Sequence, residues 1–299
     1  MRRRGTYEIH EADAFGWLQC REPNSVHAIV TDPPYALIEY SPEELHKRRS
    51  GSGGIWRLPP AFDGHQRSPM PRFTVLRRKD LESIQRFHSK LAPLLSRVLV
   101  PGGTVVMSSQ NLISHIVIKA FTAAGFEVRG QIARVVKTLR GGDRPKGAHE
   151  DFPYVSVSPR SCWEPWLIFR KPLDGTVSDN LKKWKAGGLR RPRDGKPFSD
   201  LIVSSPCRGE ERKAAPHPSL KPQAFMRQIV RAALPLGHGV VVDPFMGSGS
   251  TIAAATYLGY RSIGVERDAQ FFKIAEKAIP YLSRIDLSTP KNGAKPHHQ

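Results

Sequence analysis

Short apolar runs that alternate with helical segments constrain the fold of this chain most strongly. Alternation of strands and helices is typical of an α/β protein in which helices cover both faces of a mostly parallel sheet. The predicted strands are residues 7–10, 28–31, 104–108, 128–137, 163–170, 239–243 and 261–266. The predicted helices are residues 78–99, 112–124, 222–234, 250–258 and 268–282.

One strand-to-helix junction has the features of a nucleotide-binding turn. The apolar run 240–242 leads through Asp243 into a turn that contains Gly247 and Gly249, and a run of small residues follows. Such glycines let the backbone approach a ligand at the carboxyl end of a parallel strand. The turn has no following lysine, which disfavours a P-loop, and Glu266 ends the next strand, where a carboxylate suits a ribose diol. A plain tight turn is the alternative for the glycines alone.

A second motif, Asp32-Pro33-Pro34-Tyr35, follows shortly after the apolar run 28–30. The Asp32 carboxylate and the backbone carbonyl beside Pro33 can accept the two N–H groups of an exocyclic amine, and Pro34 stiffens the turn. The ring of Tyr35 can stack on a base extruded from a duplex. The alternative is a proline turn that closes a strand. Together the two motifs favour chemistry on a nucleobase amine.

The charge of the chain indicates an anionic partner. The 46 Lys and Arg residues against 27 Asp and Glu give a net charge of +19. With a motif suited to bases, this charge favours nucleic acid over an anionic membrane. The apolar runs are too short to span a bilayer, and the amino terminus does not read as a signal peptide, so a cytoplasmic protein is predicted. The three cysteines are far apart and form no metal-binding pattern, so reduced thiols and no metal are predicted.

These motifs resemble those of DNA amino-methyltransferases that depend on S-adenosylmethionine, in the permuted class whose catalytic motif precedes the glycine motif. His10-Glu11-Ala12-Asp13 is similar to the family's opening segment. His217-Pro218-Ser219-Leu220-Lys221-Pro222 is similar to its His-Pro-x-x-Lys-Pro element, and residues 163–171 resemble its late sheet strand. The resemblance implies a Rossmann-like methyltransferase fold with a seven-stranded sheet and S-adenosylmethionine as cofactor.

The resemblance also implies roles for individual residues. The aspartate of the opening segment contacts the cofactor adenine in the family, and the His-Pro-x-x-Lys-Pro element closes over the methionine end. The predicted catalytic residues are Asp32, Pro33, Pro34 and Tyr35. The predicted cofactor-binding residues are Asp13, Ser219, Lys221, Asp243, Phe245, Gly247, Gly249 and Glu266.

The predicted catalytic domain consists of three separated parts: residues 1–37, 80–171 and 216–284. Residues 38–79 are predicted to be a basic mobile loop over the catalytic face, and residues 285–299 a disordered tail. Residues 172–215 are predicted to recognise the target, because this basic segment suits phosphate contacts and occupies the family's target-recognition position. A solvated basic loop is the alternative. The predicted DNA-binding residues are Lys182, Lys183, Trp184, Lys185, Arg190, Arg191 and Arg193.

The predicted function is site-specific transfer of a methyl group from S-adenosylmethionine to N6 of an adenine flipped out of double-stranded DNA. Methylation of cytosine at N4 is the close alternative, although the family more often has serine in place of Asp32 for cytosine. A catalytically silent DNA-binding subunit is a third hypothesis, against which the intact motifs argue. A homodimer and a cognate restriction endonuclease are left open as partners.

Overall fold

The computed structural model describes residues 7–34, 76–140, 147–148, 150–159, 161–205, 207, 209–215 and 220–287. The strands in these ranges are β1 (Tyr7–Glu11), β2 (Val26–Thr31), β3 (Leu99–Ser108), β4 (Glu127–Arg140), β5 (Ser161–Arg170), β6 (Leu201–Val203), β7 (Val240–Asp243) and β8 (Arg261–Glu266). The helices are α1 (Ala14–Gln19), α2 (Arg78–Val98), α3 (Ser114–Ala123), α4 (Val177–Trp184), α5 (Glu210–Ala214), α6 (Gln223–Ala233), α7 (Ser250–Leu258) and α8 (Ala269–Leu282).

The strands form one sheet in the order β1-β8-β7-β2-β3-β5-β4-β6. Among the described strands only β5 is antiparallel to its neighbours, so the predicted mostly parallel α/β sheet is confirmed. We call the edge at which β2, β7 and β8 end the carboxyl edge, and the opposite one the amino edge. Ligands of parallel sheets bind outside the carboxyl ends of the strands.

The prediction of seven strands is wrong, because the described residues form eight. The added strand is β6, which pairs in parallel with residues Ala133 to Val135 of β4. It has three residues, of which Leu201 and Val203 are exposed and Ile202 is buried. Three residues that alternate between exposed and buried are too few for an edge strand to be recognised in the sequence. The short helices α1, α4 and α5, with six, eight and five residues, likewise escape prediction.

Helices cover both faces of the sheet. Along β3, Val105 and Met107 pack with residues of α2 and α3, whereas Val106 packs with residues of α6 and α7. Strands that are buried on both faces read as continuous apolar runs, which explains why the central strands could be located from the sequence. Within the described ranges, no helix has both the length and the apolar character that a membrane crossing requires.

Candidate active site

The two sequence motifs meet at the carboxyl edge. Strand β2 pairs in parallel with β7, with Ala28 opposite Val241 and Ile29 opposite Val242. The strands that precede the two motifs are thus neighbours in the sheet although they are distant in the sequence. Asp32 is therefore the first residue after β2, and β2 is the neighbour of the strand that leads into the glycine turn.

Asp243 is a buried carboxylate that joins three elements at this edge. Its Oδ1 accepts hydrogen bonds from Thr31 Oγ1 at 2.7 Å and from the Phe245 N–H at 3.1 Å, and its Oδ2 accepts one from Thr251 Oγ1 at 2.6 Å. Burial raises the pKa of Asp243 to about 7, although the hydrogen bonds from Thr251 and Thr31 oppose the shift; the negative charge of Asp32 adds to it. These contacts fix the junction of β2, β7 and α7, and a direct cofactor contact by Asp243 stays a prediction.

The glycine turn is packed tightly against α8. Gly249 has a φ of 85°, and a Cβ at this position would lie 2.4 Å from Ile279 Cγ1. Its N–H donates to the carbonyl of Met246 at 2.8 Å. On the same turn, the ring of Phe245 lies 5.8 Å from that of Phe87, between centroids. A side chain at position 249 would therefore displace either the turn or α8.

Two carboxylates lie on one side of the turn, at the ends of β8 and β1. Glu266 is half-buried at the end of β8, where its Oε2 accepts from the Gly247 N–H at 3.0 Å and its Oε1 from the Asp268 N–H at 2.8 Å. The neighbouring strand β1 leads to Asp13, and the Ala12 N–H donates to the Glu266 carbonyl at 3.0 Å. The Asp13 side chain also caps α1. Both predicted acceptors thus lie at the carboxyl edge beside the turn.

Asp32 forms an ion pair with Lys221. The distance from Asp32 Oδ2 to Lys221 Nζ is 3.1 Å, and their side chains are 21% and 13% exposed. The adjacent Pro33 is buried, whereas Pro34 is exposed. The carboxylate of Asp32 is therefore held in place and is still accessible to a further donor. Lys221, predicted to bind the cofactor, lies against the carboxylate that is predicted to be catalytic. Its cofactor contact stays a prediction.

Glu164 on β5 is not among the site residues predicted from the sequence, yet it is the second partner of Lys221. Its Oε1 accepts from Lys221 Nζ at 2.8 Å, from Ser108 Oγ at 2.9 Å and from Trp166 Nε1 at 3.1 Å. Its Oε2 accepts from Arg134 Nη1 at 2.9 Å. The sequence feature that could have indicated this role is the acidic residue Glu164 directly before the apolar run 165–169.

The charges in this cluster determine one another's protonation. Burial by itself raises the pKa of Glu164, but the positive charges of Lys221 and Arg134 outweigh burial and lower the pKa to about 2. Burial lowers the pKa of Lys221, but the carboxylates of Asp32 and Glu164 outweigh it, so the net shift is upward. Lys221 and Glu164 are therefore both charged at neutral pH.

The predicted DNA-binding residues lie away from this cluster. Because β5 is antiparallel, it ends at the amino edge, and α4 follows there: Asn180 Nδ2 donates to the carbonyl of Pro101 at 2.9 Å, near the start of β3. Arg190 Nη1 donates to Tyr260 Oη at 2.8 Å, directly ahead of β8. The length of β2 alone separates the two edges by about 17 Å. The structure thus does not bring Lys182, Lys183, Trp184, Lys185, Arg190, Arg191 and Arg193 to Asp32.

Some predicted features fall outside the described residues: Tyr35, Ser219, residues 38–75 of the predicted basic loop, and residues 288–299 of the predicted tail. Across the parts of the chain that the structure does describe, no group of three or more His, Cys, Asp or Glu side chains is arranged to hold a metal ion.

Comparison with known proteins identifies the class of this site. A family model described as DNA methylase, for N6 and N4 methyltransferases, matches residues 26–277. The chain belongs to this DNA methylase family. Membership confirms the predicted class, an S-adenosylmethionine-dependent DNA amino-methyltransferase, and leaves the choice between adenine N6 and cytosine N4 open.

Individual relatives agree with this DNA methylase assignment. The type II methyltransferase M2.DpnII of Streptococcus pneumoniae is 26% identical over 268 residues, which cover 90% of this chain and 87% of the relative. The solved M1.HpyAVI–SAM complex has a TM-score of 0.55 and 21% identity, and the match covers 92% of this chain and 99% of that one. The PvuII DNA methyltransferase, which is cytosine-N4-specific, has a TM-score of 0.57 and 13% identity, with 96% and 91% coverage. At these identities the solved structures show the fold alone.

Proposed function

We propose that this DNA methylase transfers a methyl group to N6 of adenine in double-stranded DNA, at a fixed recognition sequence. The observation that carries the proposal is the position of Asp32: a partly exposed carboxylate, held by Lys221 at 3.1 Å, on the strand next to the glycine turn. A base amine bound by Asp32 would lie next to whatever the glycine turn binds.

The proposed role of Asp32 is to orient the amine. The lone pair of an exocyclic amine is delocalised into the ring, so the amine becomes nucleophilic only when its nitrogen is drawn towards tetrahedral geometry. Asp32 accepts one N–H of the amine and the backbone carbonyl beside Pro33 accepts the other. The catalytic effect comes from orientation and electrostatics, which need no strongly shifted base. Tyr35 is proposed to stack on the extruded base.

The residues around the glycine turn fit S-adenosylmethionine. Asp13 and Glu266 place acceptor oxygens at the carboxyl ends of two adjacent parallel strands, which suits the amine and the diol of an adenosine group. Gly247 and Gly249 allow close approach of the backbone, and Phe245 offers an apolar surface. The bound cofactor supplies an electrophilic methyl group on a sulfonium.

The choice of adenine is supported by Asp32, since the family more often has serine at this position in cytosine enzymes. The fold does not decide, because the cytosine-N4-specific PvuII enzyme shares it. Mass spectrometry of nucleosides, after incubation of the purified protein with donor and mixed-sequence DNA, tests the choice directly. N6-methyladenine supports the proposal, whereas N4-methylcytosine as the sole product rejects the adenine assignment. Absence of cofactor binding would favour a silent DNA-binding subunit.

We propose that DNA contacts the carboxyl edge. Strand β5 begins at Ser161, five residues before Trp166, which pairs with Ser108 at that edge. The β4–β5 pair therefore extends past the edge by about 17 Å. Among the residues that connect these strands, Tyr154 is 99% exposed. An exposed aromatic side chain in the connection between these strands suits stacking on bases.

DNA contacts by the basic residues of the amino edge, foremost Lys182, Lys183 and Lys185, remain a separate proposal. Changing these three lysines to glutamine flattens the salt dependence of DNA affinity by up to about 0.9 log units per lost phosphate contact if they touch DNA. An unchanged salt slope in that triple variant, together with weaker binding by Tyr154→Ala, would confine DNA to the carboxyl edge.

A role in restriction and modification is proposed from the relatives, which are named type II methyltransferases. A cognate endonuclease is the partner that this role would involve, and a homodimer is a separate proposal. Sequencing of methylated genomic DNA from cells with and without the gene reveals the recognition sequence. A genome without a gene-dependent methylated motif would contradict this role.

A further inference from the structure

A line of four alternating charges runs across the carboxyl edge from Asp32 to β4. Asp32 pairs with Lys221 at 3.1 Å, Lys221 donates to Glu164 at 2.8 Å, and Glu164 accepts from Arg134 at 2.9 Å. The two carboxylates balance the two cations. The side chains of Lys221, Glu164 and Arg134 are 13%, 18% and 5% exposed, so water screens these charges little.

Glu164 is fixed more firmly than any other member of this line. Ser108 and Trp166 hold the Glu164 oxygen that faces Lys221, and Arg134 holds the other. Arg134 is in turn fixed by Ser204, whose Oγ accepts from Arg134 Nε at 3.2 Å. Glu164 thus has a single orientation, set by three different strands and by the segment that follows β6.

Lys221 depends on Glu164 for its position. The ammonium of lysine is a compact charge on a flexible stem, so its location is set by the acceptors around it. The charged groups that face Lys221 are Asp32 on one side, Glu164 on the other, and Arg134 behind Glu164. Without Glu164, Lys221 would be drawn fully onto Asp32, and two cations would face one carboxylate.

We infer that Glu164, which Arg134 holds in place, is a positioning residue for methyl transfer. Glu164 keeps the Lys221 ammonium between the two carboxylates and so leaves Asp32 free to accept the substrate amine. Glu164 acts through Lys221 and does not touch the base or the cofactor. The inference rests on the proposed function of Asp32. It assigns a role to two residues outside both sequence motifs.

The same pair of strands offers a matched control. Glu127 on β4 accepts from Arg170 Nε on β5 at 2.8 Å, so it forms a second Glu–Arg pair between these strands. This pair lies at the amino edge, where it touches neither Lys221 nor Asp32. The variants Glu164→Gln and Glu127→Gln therefore remove the same charge from the same strand pair, at opposite edges of the sheet.

The test compares these variants in single-turnover methylation with saturating DNA and donor. Glu164→Gln lowers the rate on the order of 100-fold, the size expected when a reacting group is misplaced by about an ångström, with unchanged affinity for DNA. Glu127→Gln keeps the wild-type rate. Equal rates in Glu164→Gln and wild type would overturn the inference, and so would equal losses in both variants.

A pH readout separates positioning from a merely structural role. Loss of Glu164 lowers the pKa of Lys221, because burial and Arg134 are then opposed by Asp32 alone. Since the charged ammonium occupies Asp32 in Glu164→Gln, the rate of this variant should rise on the basic side of the pH–rate profile, where the downward pKa shift lets Lys221 lose its proton. An NMR titration of the Lys221 side chain measures the same shift without DNA, and an unchanged titration would contradict the inference.

The inference can still be tested if Glu164→Gln does not fold or if the wild-type protein is inactive. If Glu164→Gln does not fold, Arg134→Gln is tested in its place. This variant removes the hydrogen bond that holds Glu164, and residue 134 does not contact Lys221. A wild-type rate in Arg134→Gln would then overturn the inference. If the wild-type protein methylates no DNA, the proposed function fails, while the NMR titration of Lys221 still reports whether Glu164 controls it.

Discussion

Thr31 and Asp243 are 212 residues apart in the sequence, and their side chains are joined by a hydrogen bond of 2.7 Å. This bond connects the strand of the catalytic motif to the strand of the glycine turn. It places Asp32, the residue after Thr31, one strand away from the proposed cofactor. In the proposed mechanism, the geometry between amine and methyl donor therefore depends on the buried side chain of Asp243 at the junction of the two strands.

The first prediction concerns the pH dependence of stability. The pKa of Asp243 is raised from 3.8 to about 7 in the folded protein, so the folded state holds a proton that the unfolded state has released between these values. Its contribution to stability is complete below pH 3.8 and is lost as the pH rises to about 7. The loss is several kcal/mol at most, since one pKa unit corresponds to about 1.4 kcal/mol.

Asp243→Asn tests this effect, because asparagine has the same shape and does not titrate. Urea unfolding of both proteins between pH 5 and 8 gives the difference in free energy of unfolding at each pH. The wild type should lose stability relative to Asp243→Asn as the pH rises. A difference that is independent of pH would mean that Asp243 titrates normally.

The second prediction concerns the tight contact between the glycine turn and α8. Gly249→Ala should destabilise the protein by more than the cost of the backbone conformation, which is about 1 kcal/mol, because its Cβ would lie 2.4 Å from Ile279 Cγ1. Gly125→Ala is the control: Gly125 has a φ of 84°, and among the described residues beyond its chain neighbours no atom lies within 4 Å of the position that a Cβ would take. Equal losses of unfolding free energy in the two variants would show that the contact with Ile279 is relieved without cost.

The third prediction concerns cofactor affinity. Glu266→Ala should weaken S-adenosylmethionine binding about tenfold or more, because a lost charged hydrogen bond costs about 1.5–3 kcal/mol and the Gly247 N–H also loses its partner. Calorimetry measures the affinity, with Glu276→Ala as a control for loss of an exposed carboxylate on α8. If both variants bind like the wild type, Glu266 is not a cofactor ligand.

Local motifs made part of the site predictable. Asp32, Gly249 and Glu266 each lie at the end of a strand or in the turn after it, so a strand assignment and the carboxyl-edge rule were enough to place them together. Glu164 could not be found in this way. Its proximity to Lys221 depends on the antiparallel pairing of β5 with β3 and β4, which no local pattern in the sequence specifies.

The basic segment 172–215 shows the converse limit. Its composition indicates phosphate contacts, but composition carries no information about which edge of the sheet a segment occupies. The direction of β5 decides this: the chain leaves β5 at the amino edge, where α4 begins, and returns towards the carboxyl edge at Ser204, whose N–H donates to the carbonyl of Val135 at 2.9 Å. Periodicity alone could not predict that β5 runs antiparallel to β3 and β4.

The rate of methyl transfer by Asp32→Ala is a direct test of the proposed role of Asp32. Single-turnover formation of N6-methyladenine is measured with saturating DNA and donor, alongside calorimetric cofactor affinity. If Asp32 acts on the amine in the reacting complex as proposed, the rate falls on the order of 100- to 1,000-fold while cofactor affinity stays at the wild-type value. A wild-type rate of N6-methyladenine formation in Asp32→Ala would contradict the account.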